Sequence, residues 1–232
     1  MTEPLAHRLA DLARHLQEER GVDATLDAIV RAAVDAIPGA GYAGISQVEG
    51  RRRVRTTAAS ADLVMRVDQA QYDTGEGPCL DSLFRERTVR APDLRSERRW
   101  PAFTARTREL GVGGILAFQL YVARDNLGAL NVYSGRPDDL GDAAERVGSL
   151  FAAHAAVVLA DTVRIEQLTH AIDVRDLIGQ AKGILMERYK ATGQQAFALL
   201  VRASQETNVK LTEVARHLVE TGELAAGSRG LS

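Results

Sequence analysis

Apolar residues recur at spacings of three and four along residues 4–19, where Leu5, Leu9, Leu12 and Leu16 mark one side of a helix. The pattern predicts an N-terminal helix within residues 1–20. A second helix runs from Asp23 through "DATLDAIVRAAVDAI" and is halted by Pro38 and Gly39. The period then changes from helical to alternating. "YAGISQV" and "RRRVRTTAA" read as two strands joined by a Glu49-Gly50 turn. A helical stretch near "ADLVMRVDQAQ" is followed by "DTGEGPCLDSLF", whose glycines and proline predict an ordered loop. "TVRAPDL" is a short strand, and "RRWPAFTARTRELG" a helix closed by Gly111. "GILAFQLYV" and "LGALNVYSG" are apolar strands separated by the turn "ARDN". This order of elements predicts an α+β domain built on an antiparallel sheet with flanking helices.

From about Gly141 the chain holds no proline for some 50 residues, which predicts one long helical stalk. Val158, Ile165, Leu168 and Ile172 keep coiled-coil spacing, and Arg175 interrupts the seam. A short dimeric coiled coil and a helix packed on its own domain both satisfy that spacing.

The far end of the stalk carries two glycines, Gly179 and Gly183, inside an amphipathic pattern. Each gives up about 1 kcal/mol of helix preference relative to alanine, so close approach to that backbone is expected. At 100° per residue, Leu177, Ile178, Ala181, Ile184, Leu185 and Tyr189 share a wide apolar arc. Gly179, Lys182, Gly183, Met186 and Lys190 form a strip beside it, where absent side chains and ammonium groups suit an anionic backbone. A second helix crossing at the glycines is the structural alternative. Thr192 and Gln195 form a T-x-x-Q capping box that starts a new helix, with Ala196, Phe197, Leu200 and Ala203 facing inward. "SQETNVK" reads as a turn, and a last helix begins near Thr212, with Leu211, Val214, Ala215, Leu218 and Val219 apolar, and ends at Gly222. The C-terminal segment is thus an all-α three-helix unit whose first helix is the stalk.

Composition narrows the function. The 232 residues are 45% hydrophobic and 26% charged, which supports packed cores. The net charge of −2 argues against a surface that coats nucleic acid. Residues 1–161 hold 20 Lys and Arg against 23 Asp and Glu, and residues 162–232 hold 9 against 8. The single cysteine, Cys79, excludes an internal disulfide and a cysteine zinc cluster and fits a reducing compartment. With Glu76 and Asp81 near it in sequence, a small buried thiol is expected rather than a reactive thiolate. No apolar run reads as a signal peptide or membrane span, so a cytoplasmic protein without a membrane partner is expected. His7, His15, His154, His170 and His217 all lie outside the sheet-and-loop region, which leaves no axial haem ligand and no evident cofactor. Nucleophile elbow, phosphate loop, metal-ligand spacing and paired carboxylates are all missing, so an enzyme is not expected.

The run Gln180-Ala181-Lys182-Gly183-Ile184-Leu185-Met186, followed by Ala196-Phe197, Leu200, Asn208, Leu211 and Val214-Ala215, resembles the ANTAR domain, the RNA-binding module of transcription antitermination regulators. "IPGAGYAGISQ", "TGEGPCLDSL", "RRWPAF" and "LGALNVYS" resemble a GAF sensory domain. The chain therefore resembles GAF–ANTAR regulators, with an N-terminal helix over 1–20, a GAF domain over 21–161, an ANTAR domain over 162–224 and a tail over 225–232. The resemblance implies a homodimer that holds stem-loops in leader transcripts so that terminators do not form. GAF domains bind small molecules, cyclic nucleotides, haem or bilins, or serve only as dimerisation units, so the resemblance allows a small-molecule ligand there and the sequence leaves open both its existence and its identity. Carried over by position, it assigns RNA contact to Lys182, Gly183 and Arg188 on the first helix, and to Arg202, Ser204, Asn208 and Lys210 around the second turn. Gly179, Met186 and Lys190 are secondary candidates, and Ala181, Leu185, Phe197, Leu200 and Val214 are core. Arg188 also fits a snorkelling stem and Asn208 a turn residue. Two other readings stay open: a DNA-binding helix-turn-helix regulator, whose leading turn would carry the unfavourable Glu213, and a GAF-type protein-interaction sensor.

Overall fold

A computed structural model describes residues 21–49, 53–123 and 125–224. The expected N-terminal helix, the Gly50 turn position, Arg124 of the second turn and the 225–232 tail lie outside the described residues.

Helix α1 (Val22–Ala36) leads into strands β1 (Tyr42–Glu49) and β2 (Arg53–Ala59), then α2 (Asp62–Thr74), α3 (Pro78–Phe84) and β3 (Thr88–Ala91). Helix α4 (Pro101–Thr107) continues into a 3-10 turn over Arg108–Leu110, and β4 (Gly114–Val122) and β5 (Asp125–Ser134) complete the sheet. All pairings are antiparallel, in the order β2-β1-β5-β4-β3.

Alternation along the strands separates two apolar faces. Ala43, Ile45, Leu130, Val132, Leu116 and Phe118 point to the side covered by Leu26, Ile29 and Ala33 of α1 and by Phe151, Ala155 and Leu159 of helix α5 (Asp142–Tyr189). Ile115, Ala117 and Tyr133 point the other way, against Val64 and Val67 of α2 and against Trp100 and Phe103. Burying each large side chain contributes roughly 1.5–3 kcal/mol. Gly44 lets α2 lie close to the sheet: a Cβ there would stand 2.5 Å from Val64 Cγ1.

The expected loop over residues 73–84 is in its second half the helix α3. Pro78 occupies a first-turn position where its missing N–H is no loss, so the punctuation that suggests a loop instead starts a helix. The helix expected over 98–111 begins only at Pro101 and tightens before Gly111, which takes a left-handed conformation. Trp100 is a core residue, and its Nε1 donates to Asp81 Oδ2 at 2.9 Å.

The chain divides into two units, Met1–Arg164 and Ile165–Ser232, and α5 is continuous across that boundary. An 18-residue window of α5 has mean hydropathy 1.3, long and apolar enough by composition to cross a membrane, and 39% of it is buried. Its apolar character has a local cause in Phe151, Ala152, Ala155, Ala156 and Leu159, which pack in the sheet core. Val158 is also buried there, so the coiled-coil spacing is exposed only from Ile165 onward.

In the C-terminal unit, helix α6 (Gly193–Thr207) and helix α7 (Leu211–Thr221) close on the end of α5. Ala181, Leu185, Ala196, Leu200, Ala203, Val214, Ala215 and Leu218 form the core. The capping box is present: Thr192 N–H donates to Gln195 Oε1 at 2.9 Å, and Gln195 N–H to Thr192 Oγ1 at 3.3 Å. The turn expected over 204–210 is shorter, because α6 continues to Thr207 and Asn208, at φ 54°, ends it.

Candidate nucleic-acid interface

The glycine strip of α5 is open. Around Gly179 and Gly183 no atom lies within 4 Å of where a Cβ would stand, so no helix of this unit crosses there. Among the described residues nothing makes the close approach expected from the sequence. Alanine at both positions is therefore expected to raise the unfolding free energy by about 1 kcal/mol each, read by denaturant titration; a loss of stability would show that the strip is sterically committed.

Lys182 lies half-buried beside that strip. Its Nζ reaches within 3.7 Å of a Cβ built on Gly193, and Met186 Sδ within 3.8 Å, so the ammonium sits at the first turn of α6. From Gly193 to Arg202 is nine residues, about 14 Å of helix. Arg202, Asn208 and Lys210 are exposed near the other end of α6. Among the described residues Lys182, Arg202 and Lys210 form no ion pair, whereas Lys190 pairs with Glu187.

Three predicted contact residues have local structural tasks. Ser204 Oγ donates to the Val209 carbonyl at 2.6 Å, tying the α6–α7 turn. Asn208 is the left-handed C-cap of α6, a conformation its short side chain tolerates. Arg188 Nη2 lies 3.7 Å from a Cβ built on Gly222, at the C-terminus of α7, where a cation complements the helix dipole. Two expected core residues are not core. Phe197 is 41% exposed, because the inward arc of α6 runs through Ala196, Leu200 and Ala203 and turns position 197 aside. Tyr189 is 57% exposed in the last turn of α5.

The sensory unit holds a polar cluster that periodicity does not reveal. Asp68 of α2 is fully buried and accepts from Thr56 Oγ1 at 2.7 Å, Gln71 Nε2 at 3.1 Å, Asn131 Nδ2 at 3.4 Å and the Tyr133 hydroxyl. Tyr72 Oη bonds Ser46 Oγ at 2.7 Å and Thr56 Oγ1 at 2.9 Å, and Gln71 Oε1 accepts from the Cys79 N–H at 2.8 Å. All donors to Asp68 are neutral, so burial raises its carboxyl to about 6. The buried Cys79 thiol is pushed up to about 12 by desolvation and then by Asp68, the direction expected of an inert thiol although Glu76 and Asp81 are not the cause. Asp68, Gln71 and Tyr72 share one side of α2, and this polar side could have been read only by knowing that Ser46, Thr56 and Asn131 face it.

Among the described residues no group of three or more His, Cys, Asp or Glu side chains is placed to hold a metal ion. The described residues thus form a sheet domain joined through one continuous helix to an all-α unit with Lys182 beside an open glycine strip. The chain belongs to the GAF-domain family, with residues 19–160 matching the GAF domain and residues 166–219 matching the ANTAR domain. These are a sensory and an RNA-binding antitermination domain, so the chain is a regulator in the coarse sense.

No match is found among curated protein sequences. The fold is similar to the GAF domain of an Acinetobacter phosphoenolpyruvate-protein phosphotransferase, at TM-score 0.54 and 17% identity over 72% of this chain and 99% of that one. It is also similar to the free methionine-R-sulfoxide reductase of Neisseria meningitidis in complex with its substrate, at 0.56 and 13% over 71% and 95%. A bacteriophytochrome from R. palustris aligns at 0.59 and 11% over 86% of this chain and 47% of that one. At these identities the likeness is one of fold.

Proposed function

We propose that the chain is a cytoplasmic, signal-responsive antitermination regulator that acts as a homodimer and holds stem-loops of leader transcripts so that terminators do not form. The observation that carries the reading is the open strip of Gly179 and Gly183 beside Lys182, which offers helix backbone and positive charge to a ribose-phosphate chain. RNA loops are bound through backbone contacts and splayed bases, so a few placed cations suffice at a net charge of −2. Ile165, Leu168 and Ile172 are 64%, 56% and 59% exposed on one side of α5, an apolar seam that a second copy would cover. Continuity of α5 gives the sensory unit a direct covalent route to the RNA-binding one.

The test is enrichment by the full chain from a pool of hairpin RNAs with randomised loops, against matched duplex DNA. The reading expects RNA hairpins to be retained and to raise readthrough when placed before a terminator in single-round transcription. Equal retention of duplex DNA would favour the helix-turn-helix reading instead.

A further inference from the structure

We propose that the groove between α5 and α6 of the C-terminal unit takes an unpaired nucleobase of the bound RNA, stacked on the Phe197 ring. The inference rests on the RNA-binding reading above and names the chemistry of a subsite within it.

The groove has a volume of about 430 Å³, within the ~300–1,000 Å³ range that holds small organic groups. Val174 and Ile178 line its wall, Gly179 leaves it open at the α5 backbone, and Phe197 stands over it from α6. Ala196 and Leu200 beside Phe197 are fully buried, so the ring is left out of a core that its own helix completes without it. Among the described residues the only charged ones lining the groove are Arg175 and Lys182, with no carboxylate. Apolar lining with an aromatic ring and two cations matches a planar base carried on a phosphodiester. An apolar helix laid in the same place would bury both cations without partners, which disfavours a purely hydrophobic occupant. Duplex nucleic acid keeps its bases stacked and has no free ring face to offer, so the occupant is a base from a loop.

The experiment uses the full chain and one enriched hairpin carrying 2-aminopurine at single loop positions in turn. Wild-type protein is expected to change the fluorescence strongly at one position. Phe197→Leu, which keeps an apolar helix former at an exposed site, is expected to lose that signal and about 10- to 100-fold in affinity, while Phe197→Trp keeps both. Tight binding by wild type with no responsive loop position, or unchanged affinity of Phe197→Leu, would overturn the subsite and leave the RNA reading standing. Failure of wild type to bind any hairpin removes both. If Phe197→Leu instead converts a dimer to monomers in sedimentation, the groove is covered by a second copy and the proposal is wrong.

Discussion

As pH rises from about 4 to about 6, Asp68 is expected to withdraw on the order of 3 kcal/mol of stability from the sensory unit, and Asp68→Asn to abolish that contribution. The sign follows from the direction of the shift. The folded carboxyl titrates near 6 and the unfolded one near 3.8. Below 3.8 both states are protonated and the buried neutral acid costs little. Between the two values the unfolded chain has released its proton and the folded one still holds it, so stability falls as pH rises, at about 1.4 kcal/mol per pH unit. Above 6 the loss is complete. The groups facing Asp68 do not change charge in this window: Thr56, Gln71 and Asn131 are neutral, and Tyr72, Tyr133 and Cys79 are all shifted upward by burial. Denaturant titration of wild type and Asp68→Asn from pH 4 to pH 7 measures the difference between the two curves. A difference that widens by several kcal/mol supports the buried, unpaired carboxylate; parallel curves refute it.

Lys182→Ala combined with Arg202→Ala is expected to weaken hairpin binding by about 30- to 100-fold at low salt and to lower the salt slope of log K by about 1 to 2. Among the described residues neither side chain is in an ion pair, so the fold has little to lose from the change. Arg188→Ala is a different case, since that guanidinium stands at the C-terminus of α7 and its loss also weakens a helix end. An unchanged affinity and slope in the double variant would place the RNA elsewhere.

Much of the fold was legible because local signals agreed. The stalk, expected from about Gly141, runs Asp142–Tyr189, since a proline-free amphipathic stretch has few competing structures. Thr192 and Gln195 marked the start of α6 because a capping box satisfies its N–H groups within four residues. Other features depended on which face another element covers. Phe197 has the hydrophobicity of a core residue, and only the arc through Ala196, Leu200 and Ala203 shows that it points away. Asp68 reads as a solvent residue of an amphipathic helix until Gly44 brings α2 against the sheet. Gly179 and Gly183 announced a close approach without saying of what, and the folded chain leaves their strip unfilled.

That open strip is the centre of the account, and Gly183→Leu tests it most directly. The measurement is the equilibrium affinity of the full-length variant for an enriched hairpin, taken beside its melting temperature. A melting temperature at or above wild type with at least a tenfold loss of affinity is the predicted result, because a Cβ at this position has no neighbour within 4 Å among the described residues and the added side chain obstructs the RNA. Wild-type affinity in a stable Gly183→Leu chain would contradict it.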